Sequence, residues 1–291
     1  MNISEFNALA ASKILILDGA TGSNLRLAGL PVGVCGEQWI LEHPEPLVEL
    51  QRGYAEAGSD IVYAPTFMAN RLNLESYGLQ DRVAEMNAAL VALSKRAVAG
   101  KALVAGDITT TGKPLEPIGP LSYHALLEIY QEQIAAIAEA GADLLVAETM
   151  LTIEETACAV EAAKAACDLP VMCSLTVEAD GHLLFGGSIV EAVETLQAAG
   201  AAAVGLNCSV GPDQLEAVVA AMKAVATVPV ICKPNAGMPT IDDKGMAHYS
   251  MDDDYYVQCM QRLVERGAAI VGGCCGTTPE YIRKLSRALR G

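Results

Sequence analysis

Two adjacent cysteines, Cys274 and Cys275, lie in the run Gly-Gly-Cys-Cys-Gly-Thr-Thr from Gly272 to Thr278. Ala269-Ile270-Val271 before the run reads as a short buried strand, and Pro279 after it opens a helix. Successive strand side chains point to opposite faces. The flanking glycines therefore supply the bend that would let both sulfurs converge. Converging thiolates form a soft-metal site, with zinc the common occupant. By itself the pair reads equally as a vicinal disulfide or as two packed thiols, so a metal centre needs a third ligand from elsewhere.

The elements that position these residues repeat along the chain. A short apolar, β-branched run is followed by an Ala-rich segment with helical spacing, such as Leu126, Ile129, Ile134 and Ile137. The runs are 13–19, 60–67, 102–108, 143–150, 170–177, 202–209, 229–237 and 269–277. Near-continuous apolar runs are what parallel strands covered on both faces look like. Gly58, Gly100, Gly141, Gly200 and Gly267 stand where helices should stop. Eight strand–helix units in 291 residues predict an α/β fold, a single-domain (β/α)₈ TIM barrel over 1–291, with a doubly wound open sheet as the alternative.

A barrel assembles its site from the C-terminal ends of its strands. Those ends carry Asp18, Thr66, Asp107, Glu148, Thr176, Asn207 with Cys208, Asn235, and the Cys274–Cys275 pair. Cys208, in Gly-Leu-Asn-Cys-Ser at 205–209, falls at the same rim as the pair and supplies the third ligand. Three cysteinates leave one tetrahedral position open, the mark of a catalytic zinc.

Composition narrows the function further. A formal net charge of −16 argues against nucleic acid and anionic membrane surfaces as partners. No uncharged apolar run reaches the roughly 20 residues of a membrane span, and no signal peptide is read at the start. Nine cysteines, an odd number without the dense spacing of a secreted scaffold, predict a reducing cytosol.

The runs 205–209 and 272–280 resemble the homocysteine S-methyltransferase family. So do Leu-Asp-Gly-Ala-Thr-Gly at 17–22, Pro-Thr-Phe-Met-Ala-Asn at 65–70, Gly-Asp-Ile at 106–108 and Lys-Pro-Asn-Ala-Gly at 233–237. Within the family the sequence looks most like the homocysteine-binding module of cobalamin-dependent methionine synthase, and more distantly like betaine–homocysteine methyltransferase. The resemblance implies methyl transfer to the thiol of homocysteine, giving methionine, with zinc held by Cys208, Cys274 and Cys275. It implies Asp18 and Glu148 against the substrate ammonium and the backbone amides at Ala20 and Thr21 against its carboxylate. Asn207 and Asn235 would orient the site, Asn235 as the resting fourth zinc ligand. No separate general base is assigned. The donor favoured is a methylcorrinoid, free or on a separate corrinoid protein, since the 291 residues are accounted for by the barrel. S-methylmethionine or a betaine is the alternative, as is a thiol-binding acceptor subunit inactive alone. Two departures bear on the donor side. Lys233 stands where a small or acidic residue is expected, and Thr-Thr-Thr-Gly at 109–112 replaces Ile-Gly-Pro-Thr-Gly.

The remaining features read as structural. Cys35, Cys158, Cys167, Cys173, Cys232 and Cys259 are small buried hydrophobes. Asp180-Gly181-His182 approaches a cobalamin-binding motif, but its spacing and setting predict a hairpin turn. Loops over 110–120 and 237–250 should be mobile and exposed, framing the rim, and Trp39 either reaches that rim or packs.

Overall fold

The computed structural model describes residues 1–243 and 247–291. Eight parallel strands form the sheet: β1 (Leu15–Ile16), β2 (Ile61–Tyr63), β3 (Leu103–Ile108), β4 (Leu144–Met150), β5 (Val171–Leu175), β6 (Ala203–Asn207), β7 (Val230–Lys233) and β8 (Ala268–Val271). Their order is β1-β8-β7-β6-β5-β4-β3-β2. A parallel bridge between Leu17 and Ile61 brings β1 against β2 and closes the ring. Closure removes the open-sheet alternative and both sheet edges. Seven strands fall inside their expected runs, and β8 starts one residue earlier, at Ala268.

Strand alternation divides the core in two. Leu15, Leu17, Ile61, Tyr63, Leu144, Val146, Met172, Ile231 and Ile270 pack together in the barrel interior. Ile16, Val62, Val104, Leu145, Val171, Val204, Val230 and Val271 pack outward, against the helices. The N-terminal helix Ile3–Ser12 packs a fully buried Phe6 into the interior cluster. The Met1 ammonium donates to the Asp143 carbonyl just before β4, which places this helix at the N-terminal ends of the strands. That end is thereby plugged, and the mouth lies at the opposite end.

Local chemistry sets the helix limits. Ser122, Thr152, Ser188, Asp252 and Thr278 accept backbone N–H groups as N-caps. The five anticipated glycines all adopt positive φ past helix ends. Gly205 answers to a different demand: a Cβ there would lie 1.9 Å from the Ile231 carbonyl oxygen on β7.

The region after β7 differs from expectation. It holds a two-stranded antiparallel pair, Thr240–Ile241 with Ala247–His248, where a plain loop was expected over 237–250; residues 244–246 of that expectation lie outside the described residues. All four strand residues are exposed, so no apolar alternation marks them in the sequence. The 110–120 segment is likewise not free along its length. Thr111 is buried, and Glu155 accepts hydrogen bonds from its N–H, from the Thr110 and Thr111 hydroxyls and from the Tyr130 hydroxyl. The Asp180–Gly181 turn is a hairpin as expected, with Glu178 N–H donating to the His182 carbonyl and Gly181 at φ +87°.

Candidate active site

The bend after β8 is pinned at nearly every residue. Gly273 N–H donates to the Asp18 carbonyl, Cys274 N–H to Pro234, and Thr277 N–H and hydroxyl to the Cys274 carbonyl. The Cys275 carbonyl accepts from Ala236 N–H. Gly276 turns the chain at φ +84°, a conformation suited to glycine. Cys208, at the end of β6, is itself in the left-handed region at φ 49° and donates its N–H to the Lys233 carbonyl. The result brings the three predicted sulfurs together, all within 4.8 Å of one another.

The spacing of these thiols suits a metal ion. The Cys208 and Cys275 sulfurs are 3.6 Å apart and all nine cysteines are free. Zn–S bonds of about 2.3 Å in a tetrahedron set sulfurs about 3.8 Å apart. The six cysteines read as structural stand apart from this cluster, five buried and Cys167 half-buried. Hydrogen bonds from Cys208 and Cys274 pull the Cys275 thiol well below its ordinary range. Cys208 is pushed up in turn, first through its hydrogen bond with Cys274. Asn207 aims its Nδ2 at Cys274 Sγ from 3.9 Å, while its Oδ1 accepts from the Ser174 hydroxyl at 2.9 Å.

The cysteines border a cavity of about 410 Å³ at the mouth, whose lining includes Asp18, Tyr63, Phe67, Asp107, Glu148 and Lys233. The two carboxylates expected to meet a substrate ammonium are there, but the chain's own ammonium stands between them. Lys233 Nζ lies 3.4 Å from Asp18 Oδ1 and 3.2 Å from Glu148 Oε1, and 4.9 Å from the centre of the Tyr63 ring. Burial alone would lower the Lys233 pKa, but the Glu148 and Asp18 charges outweigh it and hold the amine protonated. Burial raises Asp18 to about 7, against the pull of Lys233 and the Tyr63 N–H. It also raises Asp107, which the adjacent Glu148 charge pushes further. Asp18 Oδ1, Asp107 Oδ1, Glu148 Oε1 and the Tyr63 hydroxyl are buried without an aligned hydrogen bond. Unsatisfied buried polar atoms lining a cavity mark a place for a polar ligand.

The other residues singled out from the sequence take the following places. Ala20 lines the cavity, but its N–H already donates to the Thr277 hydroxyl at 3.1 Å, so that amide is not open to a carboxylate. Thr21 also lines the cavity. Asn235 directs its Nδ2 to the Ser209 carbonyl, and its Oδ1 is buried without a hydrogen-bond partner among the described residues. Trp39 packs: it stacks on His43 at 4.9 Å and joins the Leu25–Ile40–Leu47 cluster. Asp107 was legible as a strand end and within the family-like run Gly-Asp-Ile at 106–108, but it was given no role in the site.

The profile of the family described as homocysteine S-methyltransferase matches residues 15–289. The chain belongs to the homocysteine S-methyltransferase family. Two methionine synthases share 30% identity over 96% of this chain, one from Mycobacterium leprae and one from Mycobacterium tuberculosis. The chain spans 24% and 25% of their respective lengths. The metallated form of a homocysteine methyltransferase from Escherichia coli superposes with a TM-score of 0.79 at 24% identity, covering 97% of this chain and 99% of that one. Its oxidised form gives a TM-score of 0.81. These likenesses agree with the barrel as homocysteine S-methyltransferase architecture. Within it, the Lys233 ammonium standing between Asp18 and Glu148 is the feature of this chain that the family resemblance did not predict.

Proposed function

We propose that the chain methylates the thiol of homocysteine to give methionine, at a zinc ion held by Cys208, Cys274 and Cys275. The observation that carries this reading is the convergence of three thiols from two strands over an acid-lined cavity at the barrel mouth. When bound, zinc supplies the charge that keeps an acceptor thiol ionised at neutral pH. The chain's own residues do the rest. Asn207 steadies Cys274, Asp18 and Glu148 set the charge of the acceptor pocket, and the Thr21 amide is kept as the carboxylate donor. The thiol proton leaves to solvent. The sulfur then forms a bond to the methyl carbon in line, and the carbon–donor bond breaks with its electron pair leaving on the donor.

The donor we favour is a methylcorrinoid, free or on a partner protein. The exposed large apolar side chains support it. Leu27, Val32, Met68, Ile118, Phe185 and Ile241 all lie on segments that follow strand C-terminal ends, on the face of the mouth. Exposed apolar surface around a site is what a docking partner would cover. A sulfonium or quaternary ammonium donor needs an aromatic face, and the Tyr63 ring already carries the Lys233 ammonium. The nine free cysteines support a reducing, cytoplasmic setting. No helix among the described residues is long and apolar enough to cross a membrane.

The test is to incubate the zinc-loaded chain with homocysteine and, separately, methylcobalamin, S-methylmethionine and glycine betaine, scoring methionine by mass spectrometry. Methionine from methylcobalamin is expected. Failure to form it from any donor, with zinc not retained, would overturn the reading. Turnover from only the small cationic donors would overturn the donor assignment.

A further inference from the structure

Three features of the acceptor cavity do not fit a pocket built only around a substrate ammonium. Its lining holds a single base, Lys233, among the described residues. That base lies within ion-pair distance of both Asp18 and Glu148, so each carboxylate already has a cation beside it. The Tyr63 hydroxyl is a buried donor in the same lining with no hydrogen-bond partner among the described residues.

Lys233 is also held in place. Its carbonyl accepts the Cys208 N–H, Asn207 is its register partner across the β6–β7 pair, and the residue is 3% exposed. The ammonium lies over the Tyr63 ring, 4.9 Å from its centre. An incoming ammonium seeking Asp18 and Glu148 therefore meets a like charge at the same two oxygens, and like charges in a desolvated site repel strongly. Burial and the Glu148 charge both raise the pKa of Asp107, a third carboxyl of this lining, which weakens its pull on an incoming ammonium.

We propose that Lys233 fills the subsite an acceptor's α-ammonium would claim, so that this pocket binds thiols lacking that group, the ω-mercapto carboxylates, about as well as homocysteine. Lys233 is thus a specificity-determining residue, and together with the Tyr63 hydroxyl it presents attractive donors to an anionic acceptor. The proposal rests on the cavity being the acceptor-thiol pocket, and its test separates the two claims.

Isothermal titration calorimetry on the zinc-loaded full chain compares homocysteine with 4-mercaptobutyrate, which is homocysteine without its amino group. The measurement is made in wild type, Lys233→Met and Lys233→Gln, with zinc content and thermal unfolding recorded for each. In wild type the two dissociation constants should agree within about threefold, and both variants should shift the ratio toward homocysteine by about tenfold or more. A wild-type preference for homocysteine of about tenfold, or a ratio unmoved by either variant, overturns the proposal. If neither variant folds, the wild-type ratio decides alone. If wild type binds neither thiol, the acceptor pocket and the proposal fall together. If it binds both at similar strength but yields methylated product from no donor, the activity reading falls and the role of Lys233 stands.

Discussion

Asn207 grips Thr149 at two points: its Oδ1 accepts the Thr149 N–H at 3.0 Å, and its Nδ2 donates to the Thr149 hydroxyl at 2.7 Å. Thr149 has φ 57° and Cys208, the next residue after Asn207, has φ 49°. Left-handed backbone at a side-chain-bearing residue costs free energy and persists where surroundings enforce it. The clamp therefore fixes the direction of Cys208 as it ties β4 to β6. Asn207→Ala should lower zinc affinity about 10- to 100-fold, the usual cost of losing a support behind a metal ligand. Competition with a chromogenic chelator measures this, and unchanged affinity would remove Asn207 from the metal centre.

The cysteine assignment predicts about one zinc per chain. Cys208→Ala should abolish retention of the metal and thiol methylation together. Cys158→Ala, in the core, should leave zinc content unchanged and cost about 1 kcal/mol of stability. Elemental analysis after gel filtration, paired with chemical denaturation, checks both outcomes.

Asp18 gives a pH dependence of defined sign. Its folded pKa is about 7 against an ordinary 3.8. A raised acid contributes stability that is present below the lower value and lost as pH climbs through the higher one. Asp18→Asn removes that loss. The metal-free variant should match wild type near pH 4 and become progressively more stable relative to it up to pH about 7, by at most about 1.4 kcal/mol per pH unit. Thermal unfolding of both proteins across that range tests the trend. Parallel curves would show that Asp18 is ionised throughout.

The apolar residues at the mouth predict a separable docking defect. Phe185, 70% exposed beside Leu184, lies on the β5 loop away from the cavity lining. Phe185→Asp should slow transfer from a protein-bound methylcorrinoid by about tenfold, the scale of one interface contact. Transfer from free methylcobalamin and the affinity for thiol should not change. Equal losses in both assays would point to damage within the pocket.

The barrel was readable because buried parallel strands leave near-continuous apolar runs, and β2 to β7 all lie within theirs. The three cysteines were readable because they sit at strand ends, which the fold brings to one rim. What escaped reading depends on contacts that sequence spacing does not encode. The unusual identity of Lys233 was visible, but its insertion between Asp18 and Glu148 follows from the register of β7 against β6 and the length of its own stem. The Ala20 amide looked open because its acceptor, Thr277, is 257 residues away. The pair 240–241 with 247–248 escaped because both strands face solvent and need no apolar pattern.

The plugged floor beneath Phe6 has a kinetic meaning. Asp18 and Lys233, at 1% and 3% exposure, lie deeper than Cys208 and Cys275, which are half-buried. Traffic through a blind well is last in, first out. An acceptor whose tail reaches those charges must load before the donor closes over its sulfur, and the spent donor must depart before methylated product can leave. Steady-state rates should therefore show intersecting, compulsory-order patterns in place of the parallel lines of a double displacement, with excess donor trapping the empty well.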